Sequence, residues 1–285
     1  MPAQILDGAA LARTLREQIA TNARDLTERG HKPGLAVILV GSDPASQVYV
    51  RNKVRACQEA GIESWLEQLP ESASENEVLG CIARFNANDA VDGILIQLPL
   101  PGHLDTHRIL EAVAKDKDVD GLQMHSAGAL VTGQPAFRPC TPLGIMRMLE
   151  YTKVPIAGHH AVVLGRSASV GKPVGLLLLE SNATVTYCHS KTEGLADFTR
   201  SADILVAAVG RSGLVRADMV KPGAVVIDVG INRNADGKLC GDVEFETVRE
   251  VAGWISPVPG GVGPMTITML LENTVKSAHH RLSPR

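Results

Sequence analysis

The sequence predicts an α/β protein with two domains, each built on a parallel β-sheet. Continuous apolar runs such as 35–40 and 161–164 are typical of strands that are buried on both faces of a parallel sheet. Segments with helical periodicity separate these runs, and the second half starts the pattern again as a Rossmann-like doubly wound sheet. The 285 residues, 45% of them hydrophobic, are enough for two such domains.

The first domain opens with a strand–helix unit whose ends are clearly marked. Its first apolar strand is followed by Asp43-Pro44, an N-cap residue with proline at the first helical position. This helix should run to about Ala60, because Gly61 ends it. A capping box over Ser74–Glu77 opens the next helix. The strands predicted for this domain are 35–40, 62–69 and 93–98.

The second domain repeats the alternation of strand and helix. The domain boundary falls near Asp120, after a charged stretch, which predicts a first domain of residues 1–120 and a second of residues 121–265. A terminal helix at about 266–285 has apolar residues at helical spacing, and we expect it to pack back on the first domain. The strands predicted for the second domain are 161–164, 184–188, 204–209 and 225–229.

The composition argues against several classes of partner. The net charge is −3 and aromatic residues make up 3%, which indicates neither a basic nucleic-acid surface nor stacking platforms for single strands. Five well-separated cysteines without a C-x-x-C pair indicate no disulfide framework and no metal site. The sequence lacks a secretory signal and an apolar run long enough for a transmembrane helix, so we expect a cytoplasmic location.

The turn at 165–173 has the position of a dinucleotide-binding turn. It follows a strand and opens a helix, where backbone N–H groups and the helix dipole meet a pyrophosphate. Because its glycine spacing is not G-x-G-x-x-G, the prediction depends on this context. Pro173 is tolerated only in the first helical turn, so the turn should end near that residue.

The predicted choice of nucleotide depends on the end of the following strand. An NAD enzyme usually has an acid there for the ribose 2′-hydroxyl, whereas this chain has no carboxylate before Glu193. Arg166 offers a planar guanidinium that suits a 2′-phosphate. These residues favour NADP over NAD, and the alternative interpretation is that Arg166 is a solvated surface arginine.

Several residues of the first half are candidates for a substrate site. Tyr49 and Lys53 are four residues apart and share one face of the first long helix, a pattern that an exposed amphipathic face also explains. Gln97 ends the third strand, and open α/β sheets bind ligands at the carboxyl ends of their strands. Asp120 follows the charged stretch. The segment 257–264 is a proline–glycine loop that either connects elements or lets a ligand approach the backbone.

Five motifs in this order resemble one family over essentially the whole chain. They are Tyr49–Lys53, Gln97–Pro101, Lys117–Gly121, Gly165–Pro173 and Pro259–Thr266. The chain resembles the bifunctional methylenetetrahydrofolate dehydrogenases/methenyltetrahydrofolate cyclohydrolases of the FolD type. The resemblance implies two α/β domains around a cleft, usually in a homodimer. It also implies one-carbon derivatives of tetrahydrofolate on the first domain and NADP on the second.

The resemblance also implies roles for individual residues. Lys53 would be the central catalytic group and Gln97 its tuning partner, while Tyr49 would stack on the folate rings and Asp120 would hydrogen-bond the pterin. Cys140-Thr141 would approach the nicotinamide. The other folate-site residues implied are Leu98, Pro99, Pro259, Gly260, Gly261, Val262 and Gly263. The NADP-site residues implied are Gly165, Arg166, Ser167, Ser190 and Ile231.

The two reactions of that family make different demands on the protein. Hydride transfer from 5,10-methylenetetrahydrofolate needs orientation but no base, because the folate nitrogens delocalise the resulting charge. Water attack on the 5,10-methenyl cation, which gives 10-formyltetrahydrofolate, needs a group that moves protons. A free lysine, with a pKa of about 10.4, is charged at neutral pH. We therefore expect Lys53 to act as a neutral amine, its pKa lowered by burial and by the substrate cation.

Two alternatives stay open on the sequence, and a third is disfavoured by the order of its motifs. A tyrosine–lysine pair at this spacing also occurs in short-chain dehydrogenases, but there it follows the dinucleotide turn, whereas Tyr49 and Lys53 precede it. A non-catalytic NADP-binding sensor would share the nucleotide half. A monofunctional dehydrogenase of the same family would share both halves.

Overall fold

Two parallel β-sheets and a short antiparallel hairpin are formed by residues 2–234 and 236–282, which this computed structural model describes. The strands in chain order are β1 (Gln4–Ile5), β2 (Gly34–Val40), β3 (Glu63–Leu69), β4 (Gly93–Ile96), β5 (His160–Leu164), β6 (Thr184–Cys188), β7 (Ile204–Ala207), β8 (Val225–Asp228), β9 (Asn232–Arg233), β10 (Leu239–Cys240) and β11 (Trp254–Ile255). Strands β9 and β10 form the hairpin.

Helices separate most of these strands, as the sequence predicts. The α-helices are α1 (Gly8–Glu28), α2 (Pro44–Glu59), α3 (Glu75–Ala87), α4 (Thr106–Glu111), α5 (Met124–Thr132), α6 (Cys140–Thr152), α7 (Gly171–Glu180), α8 (Leu195–Arg200), α9 (Phe245–Val248) and α10 (Val262–Leu282). The predicted caps of two helices are confirmed. Asp43 accepts a hydrogen bond from the Ser46 amide at the start of α2, and Ser74 and Glu77 form the capping box of α3.

The larger sheet confirms the predicted doubly wound architecture. Its six strands lie in the order β1-β11-β8-β7-β5-β6, and every neighbouring pair is parallel. From β5 the chain goes to β6 on one side and then to β7 on the other, so the strand order reverses at β5. Leu164 pairs with both Cys188 and Ala207, and these three strands therefore end at one level. A reversal of this kind leaves a crevice at the carboxyl ends of the strands, where ligands bind.

The smaller sheet has three parallel strands in the order β3-β2-β4. All seven residues of β2 are buried, which explains the continuous apolar run there, whereas β3 alternates between partly buried and exposed residues. The carboxyl ends of β2 and β4 lie together, because Ile38 pairs with Ile96. Gln97 is the first residue beyond β4, and its amide donates to the Ile38 carbonyl at 2.9 Å.

The observed elements differ from the predicted ones at a few ends. The predicted strands 93–98, 204–209 and 225–229 all stop one or two residues early, where the backbone turns into a loop. The loop predicted at 257–264 is wrong over its last three residues, because α10 begins at Val262. Pro264 fits this first turn, since its missing N–H would have no intrahelical partner there. The two-residue strands β1 and β11 are too short for the hydrophobic pattern to predict.

The described residues form two compact units. Residues 2–13 and 141–266 contain the six-stranded sheet, and residues 14–140 and 267–282 contain the three-stranded sheet. We call them the six-stranded unit and the three-stranded unit. The chain does not divide into these units at residue 120, for two reasons. Strand β1 pairs with β11, and Gln123, near the start of α5, donates a hydrogen bond to the Leu110 carbonyl at 2.9 Å.

Two features are absent from the part of the chain that the structure describes. No helix there has both the length and the apolar character that crossing a bilayer demands. The same residues contain no cluster of three or more histidine, cysteine, aspartate or glutamate side chains arranged to hold a metal ion.

Candidate functional site

A lysine and a glutamine meet at the carboxyl edge of the three-stranded sheet. Helix α2 follows β2, and its third turn carries Lys53 toward the end of β4. The Lys53 Nζ atom donates a hydrogen bond to Gln97 Oε1 at 3.0 Å. Gln97 is 8% exposed and Lys53 is partly buried, so this contact is largely screened from solvent. The structure thus brings together two of the residues that the sequence predicts to be catalytic.

The Gln97 amide is held in one orientation. Its Nε2 atom donates to the Leu98 carbonyl at 2.7 Å, which leaves Oε1 facing Lys53. Because the glutamine oxygen can only accept, it takes one N–H of the lysine in either protonation state of the amine. The other N–H groups of Lys53, and the lone pair of its neutral amine, point away from Gln97. Gln97 therefore aims the amine without adding charge.

The surroundings of Lys53 favour its neutral form. Burial lowers the pKa of Lys53, and the Asp120 carboxylate opposes this effect because it attracts the ammonium. Cys140 and Cys57 also lie near Lys53, but their protonated thiols carry no charge at neutral pH. Since burial is the largest effect, the net pKa lies below the value of a free lysine.

The two thiols near Lys53 are not nucleophiles at neutral pH. Burial raises the pKa of Cys57 to about 12 and raises the pKa of Cys140 well above its usual value. Cys140 is 1% exposed, and its Sγ lies 3.3 Å from the Val119 carbonyl oxygen, to which it donates. Thiolates rather than thiols attack electrophiles, so neither cysteine is activated as a nucleophile.

Tyr49 and Asp120 border the lysine in the same unit. Tyr49 lies one helical turn before Lys53 on α2, partly buried, and burial raises the pKa of its phenol. Asp120 is partly buried and close enough to Lys53 and Cys140 to act on the pKa of each. Leu98 and Pro99 continue from Gln97 along the same edge. The three-stranded unit therefore contains all four predicted catalytic residues.

The charged stretch before Asp120 has a structural role that its sequence pattern does not predict. Lys117 is 3% exposed, and its Nζ donates to the carbonyls of Phe85, Asn86 and Asn88 at 2.8–3.0 Å. These bonds reach carbonyls at the C-terminal end of α3, where the last C=O groups lack the i+4 amide donor of a regular helix. The buried Asp118 carboxylate accepts from the amides of Leu122 and Gln123 and from the Ser126 hydroxyl. These contacts hold both flanks of the segment that carries Asp120.

The predicted dinucleotide turn lies at the reversal of the six-stranded sheet. Gly165 follows β5 with φ = +114°, and a Cβ at this position would collide with the Ala208 carbonyl oxygen beyond β7. Only glycine allows this close approach. The Ser167 hydroxyl accepts from the amides of Val170 and Gly171 at 3.2 Å, which shapes the turn that opens α7.

The other predicted nucleotide residues lie at the same edge. Arg166 and Ser190 are exposed, beyond β5 and β6 respectively, and the Gly165 amide donates to the Cys188 carbonyl at 2.9 Å. Ile231, 53% exposed, follows β8. A dinucleotide with a 2′-phosphate fits this edge. The edge has a glycine turn with an exposed arginine beside it, and residues 189–192 contain no carboxylate that would repel the phosphate.

Two buried aspartates, whose roles no sequence pattern predicts, fix the loops at this edge. Asp242, 0% exposed, accepts hydrogen bonds from the amides of Val209, Gly210 and Arg211 at 2.7–3.0 Å. It also accepts from Asn232 Nδ2 at 2.9 Å. The loop after β7 and the start of β9 are thereby tied to one carboxylate. In turn, the Asp242 amide donates to the Asp228 carboxylate. Asp228 ends an apolar strand, which was the only signal in the sequence.

We expect Asp242→Asn to destabilise the protein by about 1–3 kcal/mol, the usual cost of leaving buried donors unsatisfied. The substitution replaces one accepting oxygen by an NH₂ group, so at least one of the loop amides loses its acceptor. Denaturant titration measures the change. Asp218→Asn, at an exposed aspartate paired with Arg216, is the control. Equal stability of the two variants would contradict the prediction.

The predicted folate loop lies in the six-stranded unit. The Gly260 carbonyl accepts from the Ala9 amide at 2.9 Å, and a Cβ on Gly8 would collide with the Gly261 carbonyl oxygen. The loop therefore packs on the start of α1, while Val262 and Gly263 open α10. Of the predicted pair Cys140-Thr141, Cys140 belongs to the three-stranded unit and Thr141 to the six-stranded unit. The Thr141 and Thr266 hydroxyls are 3.0 Å apart.

Family models match both halves of the chain. Residues 6–120 match the tetrahydrofolate dehydrogenase/cyclohydrolase catalytic domain, and residues 139–282 match the NAD(P)-binding domain of the same family. Among curated proteins, the bifunctional protein FolD of Cupriavidus necator is 62% identical over 278 residues, which are 98% of each chain. The protein of the same name from Burkholderia thailandensis is 60% identical over 98% of each chain.

Solved structures agree with these matches. The bifunctional FolD methylenetetrahydrofolate dehydrogenase/cyclohydrolase of Campylobacter jejuni has a TM-score of 0.97 and 48% identity, and covers 98% of this chain and 100% of its own. A Trypanosoma brucei methylenetetrahydrofolate dehydrogenase-cyclohydrolase, complexed with NADP cofactor and inhibitor, has a TM-score of 0.96 and 37% identity over 100% of both chains.

Proposed function

The chain belongs to the tetrahydrofolate dehydrogenase/cyclohydrolase family, and we propose that Lys53 and Gln97 carry the hydrolytic half of its chemistry. The protein is a bifunctional enzyme of one-carbon metabolism. It oxidises 5,10-methylenetetrahydrofolate to 5,10-methenyltetrahydrofolate with NADP⁺, and it hydrolyses the methenyl compound to 10-formyltetrahydrofolate. The observation that carries the residue assignment is the buried contact between Lys53 Nζ and Gln97 Oε1.

The oxidation needs positioning rather than a base. Bound NADP⁺ supplies the hydride acceptor, and the methenyl cation that remains is stabilised by its own two nitrogens. The protein must hold the substrate still, and Tyr49 and Asp120 are the residues that we assign to this task. Tyr49 offers an aromatic face, and Asp120 offers two oxygens to the N–H groups of the pterin. Leu98 and Pro99 would provide further contacts.

The hydrolysis needs a group that takes a proton from water. As water adds to the methenyl carbon, the neutral Lys53 amine accepts the proton and becomes an ammonium. Ring opening then breaks the bond from this carbon to N5, and the ammonium returns the proton to N5. The second proton of the water is released to solvent as the C–OH group becomes the formyl C=O. The Asp120 carboxylate stabilises the transient ammonium, because it attracts the positive charge. Gln97 keeps the amine aimed throughout, since its amide cannot rotate without losing the bond to Leu98.

We propose that NADP binds at the carboxyl edge of the six-stranded sheet. The exposed guanidinium of Arg166 would receive the 2′-phosphate, and Gly165, Ser167, Ser190 and Ile231 would line the rest of the site. Functionally, we assign folate binding to residues 1–120 with the terminal helix, and NADP binding to residues 121–265. Folate binding by Pro259–Gly263 and a contact from Cys140-Thr141 to the nicotinamide stay predictions.

A two-nucleotide assay tests the function. Purified protein is mixed with 5,10-methylenetetrahydrofolate and NADP⁺ or NAD⁺, and reduced nucleotide and methenyl compound are followed separately by absorbance. We expect NADPH to form with little methenyl compound accumulating, and 10-formyltetrahydrofolate as product. Accumulating methenyl compound would indicate a dehydrogenase alone, and binding of NADP without turnover would indicate a sensor.

We expect Asp120→Asn to move the acidic limb of methenyl hydrolysis to lower pH. Hydrolysis requires the neutral amine, so the rate rises with pH through the pKa of Lys53. The carboxylate raises this pKa, and its removal therefore lowers it further. The pH profile at saturating substrate is the measurement, and Asp116→Asn, at an exposed aspartate that does not act on Lys53, is the control. A limb that stays in place or moves upward would refute the role of Asp120.

We also propose that the protein is a cytoplasmic homodimer. The five cysteines are all free, which suits a reducing compartment. Strand β6 is an edge strand, and Leu179, Tyr187 and Phe198 near it are 38–57% exposed, as is typical of a surface that a second chain covers. Light scattering after size exclusion measures the mass, and a monomer at micromolar concentration would exclude the dimer.

A further inference from the structure

One buried side chain of the last helix reaches the segment that carries Asp120. Asn273 lies on α10, is 4% exposed, and donates from Nδ2 to the Val119 carbonyl at 2.8 Å. The same atom is 3.2 Å from the Arg138 carbonyl oxygen and 3.7 Å from Cys140 Sγ. One amide group thus links three points of the chain around Asp120, all within the three-stranded unit.

The segment around Asp120 has little freedom of its own. The Val119 carbonyl accepts from both Asn273 and the Cys140 thiol. On the other side, Gly121 has φ = +67°, and a Cβ there would lie 2.7 Å from the Arg138 carbonyl carbon. The backbone at Asp120 is therefore held on both sides. Asn273 donates to the Val119 carbonyl on one side and lies within hydrogen-bond distance of the Arg138 carbonyl, which packs on Gly121, on the other.

We propose that Asn273 is a positioning residue that holds Asp120 in place for the folate substrate. This inference rests on the proposed function, in which Asp120 binds the pterin. Asn273 is buried and its amide is bonded to the backbone, so it acts through the Val119 and Arg138 carbonyls. When the amide is removed, the carbonyls lose a donor and the segment relaxes. A displacement of about 1 Å at a positioning group costs on the order of 10²-fold in the worst cases.

The test compares Asn273→Ala with Ser277→Ala. Ser277 is one turn further along α10, is 2% exposed, and donates to the Asp116 carbonyl at 2.8 Å, so it ties the same helix to the same segment away from Asp120. We expect Asn273→Ala to raise the Kd for tetrahydrofolate by about 10-fold and to leave the Kd for NADP within about 2-fold. Ser277→Ala should change neither Kd by more than about 2-fold. Calorimetry measures both constants without turnover.

A double-substitution cycle separates positioning from general destabilisation. If Asn273 acts through Asp120, Asn273→Ala in an Asp120→Ala background should change the tetrahydrofolate Kd by less than about 2-fold. A merely structural role would give the same factor in both backgrounds, and that result would overturn the proposal. So would a tetrahydrofolate Kd for Asn273→Ala equal to that of Ser277→Ala. If Asn273→Ala does not fold, Asn273→Ser takes its place in both comparisons, with the same expected pattern.

Different results would contradict the proposed function and the role of Asn273. Wild-type protein that turns over neither folate substrate would contradict the proposed function. Wild-type protein that turns over, with Asn273→Ala binding tetrahydrofolate as the wild type does, would overturn the role of Asn273 alone.

Discussion

Lys53→Met is expected to reduce methenyl hydrolysis by about 10²- to 10⁴-fold, the range that a positioned general base contributes. Methionine keeps most of the length and apolar volume of the lysine, but it has no group that accepts a proton from water. The contact with Gln97 Oε1 is lost as well, so the amide loses its partner in the site. The measurement is the decay of methenyl absorbance at saturating substrate from pH 6 to about 10. The rate of hydrolysis without enzyme is subtracted at each pH.

The same variant should keep its nucleotide site. Lys53 lies in the three-stranded unit, whereas the Gly165 turn lies in the other unit, so the Kd for NADP should stay within about 2-fold of wild type. Arg55→Met, at an exposed arginine of α2 in an i,i+4 pair with Glu59, is the matched control and should leave hydrolysis unchanged. Hydrolysis by Lys53→Met at the wild-type rate would show that another group moves the proton.

Arg166→Ala is expected to raise the KM for NADP⁺ by about 10- to 100-fold, which corresponds to about 1.5–3 kcal/mol for hydrogen bonds to a charged group. The guanidinium is exposed at the turn after β5, and no carboxylate lies between 189 and 192 to repel a phosphate. NAD⁺ has no 2′-phosphate, and its KM should therefore change by less than about 3-fold. Initial rates with each nucleotide at saturating 5,10-methylenetetrahydrofolate measure the two constants.

Arg200→Ala is the matched control for this substitution. Arg200 is an exposed arginine of α8 that pairs with Asp197, and its loss removes the same charge from the six-stranded unit at a different place. Its KM values for both nucleotides should equal those of the wild type. An equal rise of both KM values in Arg166→Ala would assign the 2′-phosphate to other residues.

Local patterns in the sequence determined the alternation of elements and the candidate residues that lie next to regular structure. The run 35–40 predicts a buried strand because both of its faces are apolar, and β2 is buried throughout. Tyr49 and Lys53 share a helical face because the helix repeats every 3.6 residues. Gln97 and Gly165 follow buried strands, and the carboxyl ends of parallel strands are where α/β proteins bind ligands. All of these are properties of neighbouring residues.

Only the tertiary structure decided which distant residues meet. Lys117 and Asp118 belong to a charged stretch, yet both are buried because they bind backbone groups of α3 and α5. Asp242 ties the loop after β7 to strand β9, and Asn273 reaches Val119, 154 residues earlier in the chain. Burial and hydrogen bonding of such groups depend on partners far away in sequence, which no local pattern contains. The sequence therefore names the chemical groups of the site, and the packing determines what holds them in position.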